Sequence, residues 1–127
     1  FTAMVFSADT LYAASEKGSS VWQMRYNADG AALRVERIIS FSLFRPVSMA
    51  IHLSSSSLLL LDANGNDAML VGMDPAATRM KRKVVSLHQP SRFPFPQIVY
   101  PKGLVAHGNV VAVSDEGHRR LRFFIMS

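Results

Sequence analysis

The chain has 127 residues, the size of one ordinary domain, and its 49% hydrophobic content excludes a disordered chain. Cysteine is absent, which excludes disulfides, thiolate catalysis and cysteine-based zinc sites without identifying a compartment. Fourteen Lys and Arg against nine Asp and Glu give a net charge of +5, which suits an acidic partner but equally serves solubility.

No stretch has the roughly eighteen uninterrupted apolar residues that a membrane-spanning helix needs. The most apolar window, residues 40–61, contains Arg45, Pro46, His52 and a run of four serines at 54–57. We therefore expect no membrane span, and we interpret the serine run as a polar turn between two strands.

Three short apolar runs recur along the chain, at residues 11–15, 58–62 and 111–115. Their last residues, Ser15, Asp62 and Asp115, are 47 and 53 positions apart. A turn containing glycine follows each run, and a second apolar run follows each turn. An internal repeat of about fifty residues predicts a chain built from similar supersecondary units.

Each unit is rich in Val, Leu, Ile and Phe between Gly, Asn, Asp and Ser, which predicts strands joined by turns. A fourth strand is predicted at 32–38 in the first unit and at 83–87 in the second. The fold class is therefore all-β, a β-propeller segment of about three four-stranded antiparallel blades at residues 1–39, 44–88 and 99–127. The last blade is expected to be incomplete, because the sequence stops after its third strand.

Three blades are too few to close a ring, since propellers have about four to eight. Further chain, a second copy, or a partner that adds a strand would each cover the open sheet edge. We favour the first, so the remainder of the propeller is expected to lie outside this chain.

The third unit resembles an NHL repeat, which starts with proline and glycine, has a strand ending in Asp, and opens its next strand with an Arg-Leu or Arg-Ile pair. The positions that carry the resemblance are Pro101, Gly103, Leu104, Val105, Ala106, Gly108, Asn109, Val110, Val113, Asp115, Gly117, Arg120, Leu121 and Phe123. His118 stands where the family has Asn, and the match weakens toward the first unit.

The resemblance implies a ring of about six blades that serves as a platform for protein or RNA. We therefore expect a non-enzymatic scaffold within a larger assembly, with no catalytic residue, metal or cofactor. The alternative is a propeller enzyme of the lyase or lactonase type, which would hold a metal in its central channel.

The recurring Asp62 and Asp115, like Pro46 and Pro101 at the start of their units, are interpreted as structural repeat positions. An Asp that ends a strand can accept hydrogen bonds from the backbone of the following turn. The four histidines, His52, His88, His107 and His118, lack metal-ligand spacing. His52 and His107 nevertheless occupy equivalent places, which leaves a shared site conceivable.

Basic residues form the candidate contacts to RNA or an acidic partner. They are Arg79, Lys81, Arg82, Lys83, Arg119, Arg120 and Arg122. The alternation in residues 120–122 is equally typical of a solvent-facing polar strand face. Both interpretations place these side chains at the surface.

Residues 88–98 form a linker rich in proline and phenylalanine. Its prolines exclude a central strand, so Phe93 and Phe95 either fold back on the propeller or contact a protein partner. Trp22 is interpreted as packing within its blade.

Overall fold

The computed structural model describes residues 1–27, 33–63, 67–74, 82–85, 87–88, 98 and 100–126. These residues form twelve strands and two short 3₁₀ turns, Leu53–Ser55 and Glu116–His118. In this described part of the chain, no helix is long and apolar enough to cross a bilayer. The all-β prediction is confirmed.

The strands form three four-stranded antiparallel sheets. The first sheet contains β1 (Ala3–Ser7), β2 (Thr10–Ser15), β3 (Ser20–Tyr26) and β4 (Leu33–Ser40), and the second contains β5 (Pro46–His52), β6 (Ser57–Asp62), β7 (Ala68–Gly72) and β8 (Arg82–Val85). The third contains β10 (Pro101–His107), β11 (Val110–Asp115) and β12 (Arg120–Met126), with the two-residue β9 (Leu87–His88) beside β12.

The fourth strand of the third sheet comes from the preceding linker. Leu87 pairs with Met126 and His88 pairs with Ile125, while β8 pairs with β7 of the second sheet. The single strand predicted at 83–87 is therefore wrong at its end, because Leu87 belongs to the next sheet. Hydrogen bonding to the open edge of β12 overrides the apolar continuity of the sequence. The third blade stays short at this edge, with two paired residues.

Two apolar clusters hold the three sheets face to face. One cluster lies between the first and second sheets and includes Val21, Leu58 and Leu60. The other lies between the second and third sheets and includes Leu59 and Val111. Successive residues of β6 therefore pack against opposite neighbours, and every residue of β6 is buried.

The first strands of the three sheets lie next to one another along the inner side of the stack. The Thr2 hydroxyl donates to the Pro46 carbonyl at 3.2 Å, and the Ser48 hydroxyl donates to the Lys102 carbonyl. The strand order β1 to β4 then runs outward from this side, as it does in the second sheet. Sheets stacked face to face with their first strands innermost are the blades of a β-propeller segment.

Candidate interaction surface

Proline and aspartate face each other at the inner ends of the second and third sheets. Pro46 pairs with Asp62, and Pro101 pairs with Asp115. The strand register shifts directly after each proline, between Pro46 and Ser48 and between Pro101 and Leu104. The two repeat positions identified in the sequence thus come together in each blade.

Asp115 lies at the centre of a buried polar network in the third sheet. Its carboxylate accepts hydrogen bonds from the His118 backbone N–H at 3.3 Å and from His118 Nδ1 at 2.7 Å. The Arg122 guanidinium donates to the same carboxylate at 3.3 Å and lies 5.2 Å from the centre of the Phe124 ring. The network ties the turn after β11 to the middle of β12.

Asp62 is bound differently, although it is equally buried. Its Oδ1 accepts a hydrogen bond from the backbone N–H of Arg45 at 3.0 Å. Arg45 lies before β5, so this carboxylate fixes the entry into the second blade. The two aspartates share a repeat position but stabilise different segments.

The basic residues do not lie on one described face. Arg119 and Arg120 are exposed, whereas Arg122 is only 7% exposed and faces the second sheet. The alternation in residues 120–122 was wrongly interpreted as a polar outward face, because Leu121 faces outward and Arg122 inward. The buried carboxylate of Asp115 provides the physical reason. Arg82 and Lys83 lie on β8, and Arg79 and Lys81 lie outside the described residues.

The linker residues Phe93 and Phe95 also lie outside the described residues. Ile98 near the end of this linker is buried between the second and third sheets. Trp22 is half-buried, and the Phe1 ring meets it edge-on with ring centres 5.6 Å apart.

The equivalent histidines His52 and His107 have different surroundings. His52 is buried, its Nε2 donates to the Gly108 carbonyl at 3.0 Å, and its Nδ1 lies 2.5 Å from the Ser55 hydroxyl oxygen. His107 is exposed on the third sheet. No group of three His, Asp or Glu residues that could hold a metal ion occurs among the residues that the structure describes.

A groove of about 270 Å³ crosses the ends of all three inner strands. Its lining consists of Thr2, Glu16, Val47 and Lys102. We call it the inner-strand groove. The groove was not predicted from the sequence, although Val47 and Lys102 each follow a repeat proline and Thr2 occupies the corresponding place before β1. The repeat alignment was therefore the signal that could have found it.

Opposite charges surround the inner-strand groove. The Arg45 guanidinium lies 3.9 Å from the Glu16 carboxylate, and the Lys102 ammonium lies 3.4 Å from the Glu116 carboxylate. The side chains of Arg45, Lys102 and Glu116 are more than half exposed. Exposed pairs of this kind contribute about 0–1 kcal/mol, so their charges remain available to a ligand.

No protein-family model matches the chain, and no curated protein matches it. Four chains of solved structures do match. One belongs to a crystal structure of a nidogen/laminin complex, with 17% sequence identity and a TM-score of 0.46. The alignment covers 93% of this chain and 47% of that chain, so the present chain spans about half of its neighbour.

Proposed function

We propose that the chain is a non-enzymatic interaction scaffold of the NHL-like propeller type, and that its inner-strand groove binds a protein segment within a larger assembly. The observation that carries the proposal is the groove itself, which joins three blades and is lined by both charged and apolar groups. Surfaces at the ends of propeller strands are common places for such contacts, because loops there vary without disturbing the blades.

The chemistry of the groove favours a polypeptide of mixed charge. Glu16 and Glu116 offer carboxylates, Arg45 and Lys102 offer cations, and Val47 supplies an apolar contact. A bound segment with alternating charges would replace the weak surface pairs by its own and gain orientation from them. A ligand of uniform negative charge would meet both carboxylates.

RNA is the other macromolecular partner that the basic composition suggests. Arg119 and Arg120 are exposed at the start of β12 and are the described side chains that best fit phosphate contacts. The binding experiment therefore includes an RNA, and the affinity of the chain for RNA should fall steeply with salt.

An enzyme of the lyase or lactonase type has less support. Asp115 is engaged by His118 and Arg122, and Asp62 by the Arg45 backbone. His52 is likewise bound to Gly108 of the next blade. A channel metal would therefore need ligands other than these repeat-position side chains.

The test is selection of peptides from a random displayed library on the purified chain, followed by measurement of their affinities. Lys102→Glu reverses a charge in the groove and should weaken binding of the selected peptides about tenfold. Arg34→Glu makes the same reversal on the exposed outermost strand and should leave binding unchanged.

The contradictory outcomes are equally specific. Peptides that bind equally well to wild type and Lys102→Glu would refute the groove as the site. A twenty-nucleotide poly-U RNA that binds more tightly than any peptide, loses affinity with salt, and is lost in Arg120→Glu would replace the protein partner by RNA.

A further inference from the structure

The third sheet presents an apolar face away from the second sheet. Val105, Leu121 and Phe123 point to this side and are 64%, 66% and 54% exposed. On the same two strands, Leu104 precedes Val105 and Phe124 follows Phe123, and both Leu104 and Phe124 are buried against the second sheet. Large apolar side chains grouped on one sheet face indicate an interaction surface.

The exposed positions repeat those by which the second sheet contacts the third. Aligning the repeat prolines places Val105 at the position of Ala50, which is buried in the cluster between these sheets. Strand pairing extends the correspondence, since Ala68 pairs with Leu61 as Leu121 pairs with Ser114. Phe123 then occupies the position of Leu70, which also packs against that cluster. The exposed face of the third sheet therefore carries apolar residues at the positions that form the interface between the second and third sheets.

The first sheet presents the opposite half of the same interface. Met4 and Phe6 lie on its outer side and are 65% and 60% exposed. By strand pairing, Met4 corresponds to Met49 and Phe6 to Ile51 in the second sheet, and both Met49 and Ile51 pack on the first sheet. Met4 also corresponds to Leu104 in the third sheet. The chain thus carries one exposed face of each of the two types that meet between its own blades.

A hydrogen bond between blades supplies a second, independent correspondence. His52 donates to the carbonyl of Gly108, which is the first residue of a two-residue hairpin turn and has φ +56°. Ala8 occupies the same place in the hairpin between Ser7 and Thr10 and has φ +52°. His107 is the repeat equivalent of His52, and its imidazole makes no hydrogen bond within the described part of the chain.

We propose that the outer face of the third sheet binds the outer face of the first sheet of a second copy of this chain. His107 of one copy then donates to the Ala8 carbonyl of the other, as His52 does to Gly108. Two copies of the three described blades, joined head to tail at two such interfaces, would contribute six blades, which lies within the about four to eight with which propellers close.

The first measurement is the mass of the purified 127-residue chain by sedimentation equilibrium. The expected mass is twice the 14.0 kDa of one chain. A monomer at every concentration up to the solubility limit would overturn the proposal, and so would an assembly of three or more copies, because neither is a two-copy ring.

Two variants test the head-to-tail arrangement. Phe123→Asp on the third sheet and Met4→Asp on the first should each give monomers with unchanged far-ultraviolet circular dichroism, because each spoils both interfaces of the ring. An equimolar mixture should recover dimers, since one interface in each mixed pair combines two unaltered faces. Dimers that persist in Met4→Asp alone would overturn the proposal by indicating a contact between two third sheets.

Leu43→Asp is the matched control, because Leu43 is fully exposed in the loop between β4 and β5 and should leave the dimer intact. His107→Ala removes one hydrogen bond at each interface and should weaken dimerisation about tenfold. An unchanged dissociation constant in His107→Ala would overturn the contact to Ala8.

Discussion

The second and third sheets share a strand order and a repeat sequence, yet they differ in how their faces are covered. Every residue of β6 in the second sheet is buried, whereas β11 in the third sheet alternates between buried and more exposed positions. Within the described part of the chain, the second sheet packs against two neighbouring sheets and the third against one. A blade therefore buries its apolar surface against the next blade and has no core of its own.

The largest contrast is expected between the two repeat aspartates. Asp115→Ala leaves Arg122 buried without its carboxylate and should destabilise the chain by about 3–5 kcal/mol. Asp62→Ala removes a bond to the Arg45 backbone and should cost about 1–3 kcal/mol. Urea unfolding followed by circular dichroism measures both. The double variant Asp115→Ala/Arg122→Met should recover much of the loss, and a failure to do so would contradict the central role of the ion pair.

Truncating an apolar side chain measures how much its burial contributes to stability on the covered and on the exposed sheet face. Leu59→Ala opens a cavity between the second and third sheets and should cost about 2–5 kcal/mol. Phe123→Ala removes a larger side chain from the exposed face and should cost less than about 1 kcal/mol in dilute solution, where copies are separate. Equal losses in urea unfolding would mean that the two faces are covered alike within one chain.

The equivalent histidines provide the next contrast. His52→Ala removes a buried imidazole and its hydrogen bond to the exposed Gly108 carbonyl, and should cost about 0.5–1.5 kcal/mol. His107→Ala should have no measurable effect on unfolding of the dilute chain, because His107 is exposed. Thermal unfolding at low protein concentration compares them. A destabilised His107→Ala monomer would contradict the equivalence drawn between the two blades.

The smallest effect concerns Tyr12 at the interface of the first and second sheets. Its hydroxyl donates to the Met73 carbonyl at 3.4 Å, and burial raises the pKa of Tyr12 while nearby Arg37 lowers it and Glu36 raises it. A raised folded-state pKa stabilises the chain below the unfolded value near 10.0, and this contribution is lost as the pH rises through the folded value.

Tyr12→Phe should therefore lower stability by about 1 kcal/mol at neutral pH and make unfolding less sensitive to pH above 10. Urea unfolding at a series of alkaline pH values measures the difference. Parallel pH profiles for wild type and Tyr12→Phe would show that the hydroxyl stays solvated.

The sequence located the central strands well, because apolar runs and turn residues recur at matching places. Strands predicted at 58–62 and 111–115 correspond to β6 and β11 within one residue at either end. Turn chemistry gives this accuracy, since Gly, Asn and Asp end each run in the same way.

Contacts between blades could not be predicted from the sequence. The pairing of Leu87 with Met126 and the bond from His52 to Gly108 join residues 39 and 56 positions apart. Local patterns contain no information about such partners, because both depend on how sheets stack. Arg122 was misplaced for a different reason, since the buried carboxylate that draws it inward belongs to the neighbouring strand of its own sheet.

In the stacked arrangement of blades, alternate residues of β6 pack against opposite neighbours. Nuclear Overhauser contacts between methyl groups of the selectively labelled chain test this packing most directly. We expect contacts from Leu59 and Leu61 to Val111 and Val113 of the third sheet, and from Leu58 and Leu60 to Val21 of the first. Contacts from all four leucines to a single sheet would contradict the stacked arrangement and indicate a two-layer sandwich.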